Sequence, residues 1–146
     1  MAMQDFSRSL PIMLYRTLDA VMPRFRQIFN EFGLTEQQWR VLRVLWEQES
    51  IAFSELSGLT LIPAPSLVGV VDRLTSNGLV ARRRSTTDRR SVFVYATNDG
   101  KKLESEVRPR VDRAYAELRA SIDQDSWETL INGLEQISSI EQSSPK

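Results

Sequence analysis

The sequence predicts a mainly α-helical chain with one small β-hairpin. Apolar residues recur at three- and four-residue spacing through most of the 146 residues, the period of a helix face. The exception is "VARRRSTTDRRSVFVYAT", Val80 to Thr97, where two apolar runs flank a polar, turn-prone tip. That stretch reads as two strands and a turn. Within it, Arg82 to Arg90 hold five arginines and one aspartate, although the whole chain balances 19 basic against 19 acidic residues.

The elements follow in order. Phe6 to Phe32 carries Leu10, Leu14, Leu18, Val21, Phe25, Ile28, Phe29 and Phe32 at helical spacing, with Pro23 expected to kink or split it. So long an apolar stripe points to a partner subunit, with packing inside the monomer as the alternative. Gly33 ends this helix. Thr35 and Gln38 form a capping box for the next, whose buried stripe is Trp39, Leu42, Val44, Leu45 and Trp46. "FSELSGL" is a short helix from near Ser54, with Leu56 and Leu59 inward. In "PAPSLVGVVDRL", Pro65 suits a first helical turn. There Leu67, Val70, Val71 and Leu74 face inward, and Ser66, Val68, Gly69, Asp72 and Arg73 face out.

Asn77-Gly78 is a helix stop before the first strand, Val80 to Arg84; the second runs from Ser91 to Thr97. Asn98 is expected to cap a helix to about Ser121, with stripe Leu103, Val107, Val111, Ala114, Tyr115 and Leu118 and a kink at Pro109. A last helix repeats Trp127, Leu130, Ile131, Leu134, Ile137 and Ile140, and "EQSSPK" is a frayed tail. Two helices joined by a short turn, the second with a polar outer face, describe a helix-turn-helix. The hairpin directly after it makes a winged arrangement.

Composition narrows the chemistry. Cysteine and histidine are both absent. That removes disulfides, thiolate metal sites and His-dependent nucleophiles. No Gly-rich phosphate loop or calcium-loop spacing appears. Neither an enzyme nor a cofactor nor a metal site is expected. No apolar run reaches membrane-spanning length, and "MAMQDFSRSL" does not read as a signal peptide, so a cytoplasmic protein is expected.

The order helix, helix, helix-turn-helix, wing, long helix, helix resembles the MarR family of bacterial transcription regulators over nearly the whole chain. The most specific pieces are "RLTSNGLVARR" and "DRRSVFVYATNDGKKL". The family's wing signature is Asp-x-Arg, a strand, then Leu-Thr with Gly three residues later. It falls on Asp88 and Arg90, then Ala96-Thr97 and Gly100, with alanine in place of the usual leucine. "LTEQQWRVLRVL" and "PSLVGVVDRL" resemble the branch of homoprotocatechuate-degradation repressors. The absence of cysteine argues against a peroxide-sensing branch.

The resemblance implies a winged helix-turn-helix with a helical dimerisation region. It forms one regulator chain over 1–146, with about 35–98 as the DNA-binding lobe and about 6–32 and 99–141 as dimerisation helices. Expected DNA contacts are Ser54, Pro65, Ser66, Val68, Gly69, Arg73, Arg82, Arg84, Asp88, Arg89 and Arg90. By resemblance Arg90 probes the minor groove, Arg89 shares that role, and Asp88 orients the tip. Ser66 and Arg73 are the polar readers on the recognition helix; Val68 suits a thymine methyl, and Gly69 permits close approach. Arg82, Arg83 and Arg84 alternate in direction on a strand, so some point away from DNA. Taken alone, the arginine run also fits an ordinary solvated turn.

The partner implied is double-stranded DNA with a pseudo-palindromic operator, read by a homodimer. A small aromatic acid is the implied effector, expected near Arg16, Arg26, Trp39, Arg40 and Arg43. Those arginines also fit simple snorkelling from a helical interface, and the aromatics simple core. The function expected is a ligand-responsive regulator, a repressor of an aromatic-compound catabolic operon. The alternatives are a protein-interaction module on the same fold, or an activator or antirepressor.

Overall fold

A computed structural model describes residues 3, 5–87 and 91–140. After a short 3-10 turn at Phe6–Arg8, the elements are α1 (Leu10–Glu31), α2 (Glu36–Glu47), β1 (Ile51–Ala52), α3 (Phe53–Thr60), α4 (Ala64–Ser76), β2 (Val80–Arg84), β3 (Val92–Ala96), α5 (Asn98–Ala120) and α6 (Gln124–Ser138). The chain divides into two compact units, Met1–Val111 and Asp112–Lys146.

Local chemistry sets most boundaries. α1 continues through Pro23 as one helix, so the expected split is absent. It ends where Gly33 takes φ +70°. There Leu34 N–H donates to Phe29 O at 2.9 Å and Gly33 N–H to Asn30 O at 3.0 Å, a paired closure that needs the left-handed residue. The same closure ends α4, with Gly78 at φ +75°, Leu79 N–H on Leu74 O and Gly78 N–H on Thr75 O. Thr35 and Gln38 cap α2 reciprocally, at 3.1 and 3.0 Å. The cap of α5 is Thr97 rather than Asn98. The Thr97 hydroxyl accepts from Gly100 N–H at 3.1 Å and donates to Gly78 O at 2.6 Å. Asn98 is already inside the helix.

The sheet has three antiparallel strands in the order β1-β3-β2. Its register sets Val80 opposite Ala96, Arg82 opposite Val94 and Arg84 opposite Val92, while β1 pairs Ile51 with Val94. β1 was not expected: two residues carry no periodic signal, and pairing with β3 defines them.

The core of the first unit joins α1, α2, α3, α4 and the sheet through Phe29, Leu42, Leu45, Ile51, Leu56, Ile62, Leu67, Val71, Leu74, Val80 and Val94. All four inward residues expected on α4 are buried. Leu59 is not; it is 57% exposed. The buried face of α3 runs through Leu56 and Thr60, four apart, which turns Leu59 about 80° away from the midline of that face. On α2, Leu42 and Leu45 are buried as expected and Val41 joins them, while Trp39, Val44 and Trp46 are half-buried.

α1 contributes unevenly. Met22, Phe25 and Phe29, with Phe32 just past its end, pack on this core, whereas Leu10, Met13, Leu14 and Leu18 are between 39% and 53% exposed. In the second unit, α6 buries no residue. Leu130 and Ile137 are each 46% exposed, and Tyr115 packs edge-on against Trp127. The tail "EQSSPK" lies outside the described residues.

Candidate nucleic-acid interface

α3 and α4 meet through a tight turn. Leu61 takes a left-handed φ of 58° there, and Ile62 plugs into the core. The Ser57 hydroxyl donates to Ile62 O at 2.7 Å, and Arg40 Nη1 donates to Thr60 O at 3.4 Å. These bonds hold the turn, so burial of Leu67, Val70, Val71 and Leu74 forces the opposite face of α4 outward. On that face Pro65, Ser66, Val68 and Arg73 are exposed and Gly69 is half-buried. A Cβ at Gly69 would meet open space, so nothing among the described residues demands glycine there. Arg73 has no ion pair among the described residues.

The wing rises beside this face. Its ladder continues past β2 with Ser85 N–H on Ser91 O at 3.0 Å, and Thr87 N–H donates to the Ser85 hydroxyl at 3.2 Å. Strand alternation separates the arginines. Arg82 and Arg84 share one face, and Arg82 pairs with Asp72 of α4. Arg83 points the other way: its guanidinium lies 5.7 Å from the Phe93 ring centre and reaches the Ser50 hydroxyl at 3.4 Å. Arg84 is exposed at the end of β2. Asp88, Arg89 and Arg90 lie outside the described residues.

Between α3, α4 and the wing runs an open groove of about 460 Å³. Ser54 and Phe53 line it from α3, Val68 and Asp72 from α4, and Arg82 and Val92 from the strands. The structure thus brings together Ser54, Val68 and Arg82 from the expected DNA set. Asp72 and Phe53 were not expected in it. Asp72 sits four residues after Val68, and that spacing was the available signal.

The residues expected to meet an effector are each engaged within the chain. Arg16 donates to Ser7 O at 3.2 Å, Arg26 lies 3.7 Å from Glu36, Arg40 binds Thr60 O, and Arg43 pairs with Glu47. Trp39 stacks on Phe29 with centroids 4.6 Å apart and meets Trp46 edge-on at 5.5 Å. These partners lie on different stretches, so the four guanidinium groups do not share one acceptor. Among the described residues, no three His, Cys, Asp or Glu side chains come together to hold a metal ion.

A helix-turn-helix, a wing and an open groove between them define a winged helix-turn-helix protein. The MarR family pattern matches residues 34–92. The homoprotocatechuate degradative operon repressor of Escherichia coli is 34% identical over 128 residues, spanning 88% of this chain and 86% of that protein. NadR, solved in complex with 4-hydroxyphenylacetate, is 34% identical with a TM-score of 0.81, covering 96% of this chain and 99% of its own. The transcriptional repressor CouR, solved on a 23-mer DNA duplex, is 27% identical with a TM-score of 0.84, covering 94% and 98%. The chain belongs to the MarR family. Among the described residues no single helix is long and apolar enough to cross a membrane.

Proposed function

We propose that this chain is a cytoplasmic, homodimeric, ligand-responsive DNA-binding repressor, with no catalysis of its own. It controls an aromatic-compound catabolic operon and leaves its operator when a small aromatic acid binds. The observation that carries the DNA reading is the polar, exposed face of α4 beside an arginine-bearing wing. α4 lies in the major groove, with Ser66 and Arg73 reaching base edges or phosphates and Val68 against a thymine methyl. Ser54, Pro65, Arg82 and Arg84 flank the backbone. Arg90, with Arg89 second, enters the adjacent minor groove, where a narrow groove concentrates negative potential. Asp88 orients that tip.

Residues of about 35–98 read DNA in this scheme, and about 6–32 and 99–141 pair the two subunits. The exposed apolar residues of α1 and α6 support that pairing. Two recognition helices about one helical turn apart read a pseudo-palindrome. The effector reading rests on the relatives, an operon repressor of aromatic degradation and a regulator crystallised with an aromatic acid. Arg16, Arg26, Trp39, Arg40 and Arg43 are the candidate contacts. To displace DNA, the acid must bind the DNA-incompetent dimer more tightly than the competent one.

The test is duplex binding across a salt series by wild type and Arg90→Ala. Arg90→Ala is expected to weaken binding about 10-fold or more and to reduce the salt slope by about 1. An unchanged affinity and slope would remove the wing from the interface. Added 4-hydroxyphenylacetate is expected to release the duplex. An aromatic acid that binds tightly but leaves duplex affinity unchanged would overturn the effector reading.

A further inference from the structure

The groove between α4 and the wing holds a charge that the DNA reading leaves unused. Asp72 is exposed on α4 one residue before Arg73. A bare carboxylate there opposes a phosphate strand. Arg82 crosses from β2 and pairs its Nη2 with Asp72 Oδ1. The two side chains remain 37% and 54% exposed, so an outside strand can reach them. Among the described residues the Arg82 guanidinium donates only to Asp72.

A protein with a helix in the major groove and a wing in the neighbouring minor groove must accommodate the phosphodiester strand that separates the two grooves. The groove lined by Ser54, Val68, Asp72 and Arg82 lies between helix and wing. We propose that Asp72 is a positioning residue for DNA binding: its carboxylate holds Arg82 on the groove floor, facing that strand. This inference rests on the DNA-binding reading above.

Three physical points support it. Arginine has five N–H donors in a fixed fork, so a carboxylate on one side orients the others. A long side chain ordered before DNA arrives does not have to be ordered on binding. The register places Arg82 opposite Val94, whose side chain is fully buried. The stem of Arg82 therefore starts from the middle of β2, beside the buried Val94, rather than from the wing tip.

The proposal predicts a sign that simple charge counting reverses. Removing a carboxylate from a DNA-facing surface should tighten binding if only net charge mattered. If Asp72 positions Arg82, removing it weakens binding. The experiment uses the full chain and a 30-base-pair duplex selected by wild type from a random pool, with Asp72→Asn, Arg82→Gln and the double variant. Asp72→Asn is expected to bind about 10-fold more weakly, the scale of one hydrogen bond to a charged group. Its salt slope should fall by about 1, as for Arg82→Gln. The double variant should bind no more weakly than Arg82→Gln alone. Thermal midpoints should hardly move, because exposed ion pairs contribute little to stability. Equal or tighter binding by Asp72→Asn, or losses that multiply in the double variant, would overturn the proposal. If wild type shows no salt-dependent duplex binding, the DNA reading fails and this inference falls with it. If wild type binds and Asp72→Asn matches it, this inference alone is lost.

Discussion

In α1, Met22, Phe25 and Phe29 pack on the core of the winged lobe, while Leu10, Met13, Leu14 and Leu18 of the same helix stay about half exposed. Both halves obey one helical period. The C-terminal half is received by α2, where Phe29 stacks on Trp39. The bare half, like α6 with no buried residue, keeps apolar side chains partly exposed among the described residues. An apolar stripe therefore says that a face seeks cover, and not whose cover it is.

The sharpest way to separate the two kinds of face is to damage one of each. Leu67 is fully buried, and Leu67→Ala is expected to cost about 2–5 kcal/mol, read by denaturant unfolding. Leu18→Asp is expected to leave far-UV circular dichroism intact yet convert dimers to monomers at micromolar concentration, read by light scattering. If Leu18→Asp instead unfolds the chain, the bare half serves the monomer and the contrast collapses.

A smaller loss is expected at the base of the wing. A Cβ on Gly100 would collide with Leu79 O, a backbone atom that cannot rotate away. Gly100→Ala is expected to cost about 1–3 kcal/mol, the scale of overpacking. A denaturation midpoint equal to wild type would show that α5 begins more loosely than this contact implies.

The smallest effect belongs to α6. Ser126 N–H donates to Asp123 at 2.8 Å, and the Ser126 hydroxyl adds a second bond. These bonds, the backbone one first, hold the Asp123 carboxyl below its ordinary value of 3.8. A folded value below the unfolded one gives stability that is present above the unfolded value and lost as pH falls through the folded one. Asp123→Asn keeps a capping oxygen but does not titrate. It should lie slightly below wild type near pH 7 and flatten the acid limb of the unfolding-midpoint curve, while Asp123→Ala should lower the midpoint at pH 7 further.

Much of the fold was legible because its signals are local. Gly33, Gly78, Thr35 with Gln38, and the inward face of α4 each state their role within a few residues. What escaped was set by distant neighbours. β1 exists because Ile51 meets Val94, 43 positions away in the chain. Leu59 fits a helical stripe, but the core meets α3 along Leu56 and Thr60. Asn98 is a good cap by type. Thr97 takes the role because its hydroxyl also reaches Gly78 O. Of the candidate interface, the outward face of α4 was legible. Asp72 was assigned to that face, but its partner was not, because the pair spans a helix and a strand.

That Thr97 hydroxyl has a mechanical consequence. One oxygen joins the loop that ends α4 to the first turn of α5, and Trp46 Nε1 bolts the same turn to α2 through Gly100 O at 3.0 Å. Any twist of the start of α5 that keeps these bonds must carry the end of α4 with it. The junction works as a rigid crank, with Thr97 as its pin.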